Sequence, residues 1–250
     1  MIGGLDLSLW QWVIVVFAAL VVGFSKTAIS GTVLLVVPVM AGIFGGKAST
    51  GILLTMLLIG DVFAVRYYHR HADWGKIARL MPFTVLGIVT GAITGKYMND
   101  RQFLITIAIS VLFCLGLLLY LERKGNDVKI PNGIVVSAIA GLLSGFTSMI
   151  GNAAAPIFSV YLLAMGFTKN NFMGTSAWFY LLLNALKMPF QIFLWHNITF
   201  AGFKLALVMI VPILIGATIG IFTLKRLNER VFRYIIMIMT AFAAVKLLIG

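Results

Sequence analysis

Long apolar runs, separated by short basic segments, fill almost the whole chain. A helix needs about 20 consecutive apolar residues to cross a bilayer. Leu80–Gly95, Gln102–Leu121 and Leu205–Leu224 carry no charge and predict ordinary spanning helices. Ser49–Val65 predicts another with Asp61 inside it, and Phe172–Leu194 another with Lys187 inside it. Val231–Ile249 predicts the last, with Arg233 and Lys246 near its ends, where long side chains snorkel to the interface.

Two stretches are too long for one crossing. Leu7–Gly46 holds 40 residues with a single charge, Lys26, and Ile130–Thr168 holds 39 with none. One helix of that length would span roughly 58 Å, about twice the hydrocarbon thickness. Each stretch is interrupted by small and polar residues, Gly23-Phe24-Ser25-Lys26-Thr27-Ala28-Ile29-Ser30-Gly31 and Ser144-Gly145-Phe146-Thr147-Ser148-Met149-Ile150-Gly151-Asn152. Each therefore predicts two short helices meeting at a non-helical turn, the second helices starting near Ile29 and near Asn152. Gly91-xxx-Gly95 and Gly216-xxx-Gly220 predict close helix packing, and Pro189 and Pro212 predict kinks or ends.

The interruptions are one sign of duplication. Gly23-Phe24-Ser25 matches Gly145-Phe146-Thr147. His71, Gly91 and Gly95 match His196, Gly216 and Gly220 at identical spacing, and Asn99-Asp100-Arg101 matches Asn228-Glu229-Arg230. The halves are residues 1–125 and 126–250, forming one membrane domain. Arg66–Arg79 carries four basic residues and one acidic, whereas its counterpart Trp195–Lys204 carries only Lys204. In the next pair the excess lies in the second half, in Lys225–Arg233 rather than Lys96–Arg101. Basic loops face the cytoplasm. Corresponding loops then lie on opposite sides, which makes the repeats inverted and requires an odd number of crossings in each. The expected fold is an all-α polytopic membrane protein of two inverted repeats. Each has about five helical segments and begins with a broken helix, and both termini lie outside. If each broken stretch crosses once, the count falls to eight and the repeats become parallel.

Composition agrees. The chain is 61% apolar and 10% charged, with a mean hydropathy of +1.07, whereas soluble domains are about 45–50% apolar and about 25% charged. The formal charge of +12 follows loop topology and is not read as a nucleic-acid surface. Cys114 is the single cysteine and reads as a small core residue. His69-Arg70-His71-Ala72-Asp73 sits in the most basic loop, which repels divalent cations, so no metal site is read there. No cofactor motif, nucleophile–base pair or phosphate loop is found, which argues against an enzyme or an ATP-driven pump.

Broken helices in inverted repeats characterise secondary transporters, whose half-helix N-termini face an anionic substrate near the midplane. Ser25, Lys26, Thr27 and Ser30 at the first interruption, and Thr147, Ser148 and Asn152 at the second, are the candidate anion donors. A charge at bilayer depth costs about 2.5–3.5 kcal/mol on insertion scales, so Lys26 reads as a substrate contact rather than an interfacial lysine. Asn184 and Lys187 lie three apart on one helix face and read as cavity wall, with a snorkelling Lys187 as the alternative. Asp61 aligns with Asn184 across the repeat. It reads either as an ion-pair partner of Lys26 or Arg66 or as a carrier of a coupling proton.

The interruption from Gly23-Phe24-Ser25-Lys26 to Gly31 with Pro38, and its duplicate from Gly145-Phe146-Thr147 to Asn152 with Pro156, resemble the TauE/SafE sulfite-exporter family over almost the whole chain. The resemblance implies a multi-pass transporter of the bacterial inner membrane. Its cargo would be a small sulfur-containing anion: sulfite, sulfoacetate or another organosulfonate. Members often have more glycine at the first interruption, where this chain has Lys26-Thr27, and an added cation favours an anion. The partners expected are that anion and the lipid bilayer, not nucleic acid; a homodimer is compatible with this reading. A passive anion channel, or a carrier of a non-sulfur organic anion, stands as the alternative.

Overall fold

The computed structural model describes residues 7–98 and 133–228, together with Gln102, Val231, Tyr234, Ile235 and Ile238. The spans expected over Gln102–Leu121 and Val231–Ile249, and Cys114 with them, lie outside the described residues or largely so.

The regular structure among the described residues is all helical, with no strand among them. Helix α1 (Leu9–Thr27) starts at a capping box, in which Ser8 and Gln11 each accept the other's backbone N–H. A 3-10 turn (Thr32–Leu35) leads into α2 (Val36–Phe44), and α3 runs over Gly46–Tyr68. After a turn at His69–His71, Asp73 caps α4 (Trp74–Gly95) by accepting the Lys76 N–H at 3.0 Å. In the second half come α5 (Ile134–Gly151), α6 (Ala154–Ala164) and α7 (Lys169–Pro189), the last continued by a π turn over Phe190–Leu194. Helices α8 (Phe200–Val208) and α9 (Ile210–Arg226) meet at a 49° bend.

Both overlong stretches are thus two helices joined by a non-helical turn, as their length demands. Pro189 closes α7 and Pro212 falls in the first turn of α9, where its missing N–H costs no helical bond. The span expected over Leu205–Leu224 falls in the bent α8–α9 pair, whose break at Met209 lies three residues before Pro212, where a kink or end was expected. Among the described residues, five helices are long and apolar enough to cross a membrane, or six if that pair is one crossing. Phe17, Leu86, Ile93, Val135, Val211, Ile219 and Phe222 are exposed on the outer faces. Such an apolar mantle suits hydrocarbon, not water. The protein is a multi-pass membrane protein.

Lipid is as apolar as leucine, so helices associate in membranes through close packing and hydrogen bonds. Here α1 packs on α9, α5 on α4, and α3 on α7. The first two pairs make the same contacts. A side chain at Gly23 would strike the Ile213 carbonyl, and one at Gly145 the Thr84 carbonyl. Gly216 abuts the Leu20 carbonyl as Gly87 abuts that of Leu142, and Gly220 approaches the Phe24 carbonyl as Gly91 approaches that of Phe146. Packing therefore pairs Gly87 with Gly216 and Gly91 with Gly220, one helical turn from the sequence pairing of Gly91 and Gly95. This is also the offset of Asn99-Asp100-Arg101 from Asn228-Glu229-Arg230.

The ends of the bundle differ. Lys225 Nζ stands 5.8 Å from the centre of the Tyr67 ring, so the basic segments after α3 and α9 share one end. The Trp195 indole donates to the Ala92 carbonyl at 3.1 Å, which places the segment after α7 beside the last turn of α4.

Candidate functional site

The two interruptions differ in detail. Helix α1 stops at Thr27, residues 28–31 are non-helical, and Gly31 adopts a left-handed φ of 103° before the 3-10 turn. The helix expected near Ile29 begins only at Val36. In the second interruption Asn152 takes a left-handed φ of 55°, and its N–H closes on the Ser148 carbonyl at 3.0 Å. Helix α6 then starts at Ala154, two residues beyond the expected start, without a side-chain cap. Uncapped N–H groups and the positive end of the helix dipole lie there.

Four central side chains form one buried network. Lys26 Nζ pairs with Asp61 Oδ1 at 2.7 Å, and Asn184 Nδ2 donates to Asp61 Oδ2 at 2.6 Å. Lys187 Nζ donates to Asn184 Oδ1 at 3.2 Å, Asn152 Oδ1 at 2.6 Å and Ser148 Oγ at 3.0 Å. Asp61 and Lys187 have no exposed surface, and the Lys26 side chain retains 8%. The Lys26 ammonium also lies 4.9 Å above the Tyr180 ring, a cation–π contact that favours charge in a desolvated site. Lys187 has three neutral acceptors, which match the three N–H groups of an ammonium. Asp61 balances one of the two lysines, so the network carries a formal surplus of one positive charge.

A small pocket opens on this network. It is lined by Ser25, Lys26, Ser30, Ser148, Asn152 and Asn184, with Tyr180 and the first residues of α6, Ala154 and Ala155. The structure therefore brings six of the nine predicted site residues to one surface, and Lys187 reaches that surface through the hydrogen bonds to Ser148, Asn152 and Asn184. Thr27 and Thr147 do not join them. The Thr27 hydroxyl donates to the Ala217 carbonyl at 2.7 Å and lies 3.3 Å from that of Gly23. The Thr147 hydroxyl lies 2.7 Å from the Leu143 carbonyl and 3.3 Å from that of Ala153. Each hydroxyl has one proton to give, and backbone carbonyls take it. Asp61 meets Lys26 directly, the ion-pair arrangement among those expected for it.

Two lysines, one carboxylate and short polar side chains from both interruptions thus meet in one buried site. The family model for the sulfite exporter TauE/SafE matches residues 15–247. The chain belongs to the TauE/SafE family. No curated protein and no solved structure gives a match. TauE/SafE membership implies a membrane transporter of the anion-exporter type. The matched region contains both interruptions and every residue of the network.

Sequence reasoning passed over Tyr180 in this TauE/SafE chain. The signal was present, since Tyr180, Asn184 and Lys187 recur at helical spacing and form one polar stripe of α7. Ala154 and Ala155 carried no signal, because their side chains have no polar group.

Proposed function

We propose that the protein is a secondary transporter that exports a small sulfur-containing anion, sulfite, sulfoacetate or another organosulfonate, across the bacterial inner membrane. The surplus positive charge of the Lys26–Asp61–Asn184–Lys187 network carries this reading. An uncompensated buried cation is costly, and an oxyanion offsets it. Ser25, Ser30, Ser148 and Asn152 supply neutral donors, and the uncapped start of α6 adds partial positive charge.

The space beside Lys26 is about 20 Å³, enough for one water molecule and too small for an oxyanion. Binding therefore requires the walls to part, which favours alternating access over an open channel. The paired contacts of α1–α9 and α5–α4, together with the placement of corresponding loops at opposite ends of the bundle, support two inverted repeats over residues 1–125 and 126–250.

The test is a thermal-shift panel of sulfite, thiosulfate, sulfate, sulfoacetate, taurine, acetate and chloride at equal ionic strength. A ligand at about 100 times its Kd stabilises by about 2.7 kcal/mol. Selective stabilisation by one sulfur oxyanion, lost in Lys26→Ala, is the expected result. No shift with any anion, or an undiminished shift in a folded Lys26→Ala protein, overturns the assignment.

A further inference from the structure

A second cavity, of about 450 Å³, opens where α3, α7 and α9 converge. Tyr67 and Tyr68 line it from the end of α3, His71 from the turn that follows, Lys169 and Asn170 from the start of α7, and Leu224 and Lys225 from the end of α9. Lys169 Nζ donates to the Leu224 and Leu227 carbonyls at 3.2 and 2.6 Å, complementing the negative end of α9. Lys225 is exposed, with its ammonium 5.8 and 5.9 Å from the Tyr67 and Phe222 rings. No carboxylate lines the cavity among the described residues. The Tyr68 side chain connects it to the central site, since its hydroxyl donates to the carbonyl of Thr27 at 2.9 Å, one residue from Lys26.

We propose that this cavity is a cytoplasmic vestibule that gathers the small oxyanion before it reaches Lys26, with Lys225 as its attracting charge and Tyr68 as the wall between the two compartments. The proposal rests on the anion-transport reading above. The volume admits a hydrated sulfonate, which the central pocket does not. Both basic segments, after α3 and after α9, border the cavity, so their summed field raises the local anion concentration.

Lys225 is a surface residue, so its variants fold. Radiolabelled sulfite flux is measured in phosphatidylcholine proteoliposomes, with sulfite on the side of the Arg66–Arg79 segment. Lys225→Glu is expected to raise KM by about tenfold at low ionic strength with maximal flux unchanged. The difference should shrink in high salt, and Lys225→Arg should restore the wild-type KM. An unchanged KM in Lys225→Glu overturns the vestibule. An effect seen only when phosphatidylglycerol is added overturns it too, in favour of a lipid-headgroup site. A second readout needs no transport. In a Cys114→Ser background, Asn170→Cys should react faster with an anionic than with a cationic methanethiosulfonate, and Lys225→Glu should abolish that preference. Equal rates in the parent overturn the vestibule. If the preference is present but the wild-type protein moves no sulfite, the transport reading fails for sulfite while the anion-gathering surface stands.

Discussion

Asn184 donates to the carboxylate of Asp61 at 2.6 Å, across 123 positions of sequence and between helices α3 and α7. The two residues align in the duplication proposed from the sequence. Both are buried, so the bond lies inside the helix bundle. The polar network extends from it to both interruptions, to Lys26 at the first and through Lys187 to Ser148 and Asn152 at the second.

Replacing Asp61 leaves Lys26 as an unpaired buried cation. Asp61→Asn is expected to destabilise the protein by about 3–5 kcal/mol, the usual cost of breaking a buried pair from one side. The double variant Lys26→Met with Asp61→Asn should recover much of that stability and none of the anion binding. Thermal unfolding in detergent, with and without sulfite, measures both.

Lys187→Met deprives Ser148, Asn152 and Asn184 of their donor. The expected loss is about 1–3 kcal/mol for each acceptor left without a partner. The anion-induced thermal shift should vanish with it, because the surplus charge has gone. A folded Lys187→Met protein that keeps the full shift would show that Lys26 alone holds the anion.

The two threonines of the interruptions should behave unlike the serines beside them. Thr27→Val removes the bond to the Ala217 carbonyl and should cost about 1 kcal/mol while leaving anion affinity unchanged. Ser25→Ala and Ser30→Ala should leave stability nearly intact and weaken binding several-fold. Unfolding temperature against ligand affinity for the three variants separates the two roles.

Backbone contact between helices predicts sharp intolerance at two glycines. A methyl group at Gly23 or Gly145 meets the carbonyl of Ile213 or Thr84, and neither helix can withdraw without losing its packing. Gly23→Ala and Gly145→Ala are expected to cost at least about 1–3 kcal/mol and to lower folded yield. Gly42→Ala is the control, since nothing lies within 4 Å of its added carbon. Size-exclusion profiles of detergent extracts report the difference.

Single cysteines in a Cys114→Ser background test the topology. Arg70→Cys and Lys225→Cys should react with an impermeant reagent from one side of the membrane and Lys204→Cys from the other. Labelling of Arg70→Cys and Lys204→Cys from the same side would make the repeats parallel.

Much of this was legible in the chain. Length alone required the two overlong stretches to break, because a helix of 40 residues overshoots the bilayer. Small polar residues marked where, and the loop charges placed the segments after α3 and α9 at one end. Lys26, Asp61, Asn184 and Lys187 stood out because charge and amide groups are rare at membrane depth, whatever surrounds them.

Other features depended on how the helices meet. The glycine pairing shifted by a turn, because register is set by where two backbones touch and not by matching letters. Thr27 and Thr147 turned from candidate donors into ties between carbonyls, since a hydroxyl serves whichever acceptor packing brings nearest. The kink or end expected at Pro212 came three residues earlier, at Met209, where α8 meets α9. Sequence alone determined that the chain spans a membrane, where it breaks and which polar groups it buries, because those follow from the cost of polar atoms in hydrocarbon. Tertiary structure alone decided that Lys26 balances Asp61, that Lys187 holds three neutral acceptors and that the pocket beside them holds only about 20 Å³. Partnerships among buried groups are settled by distance and direction in the packed state, and residues far apart along the chain acquire those only when the helices come together.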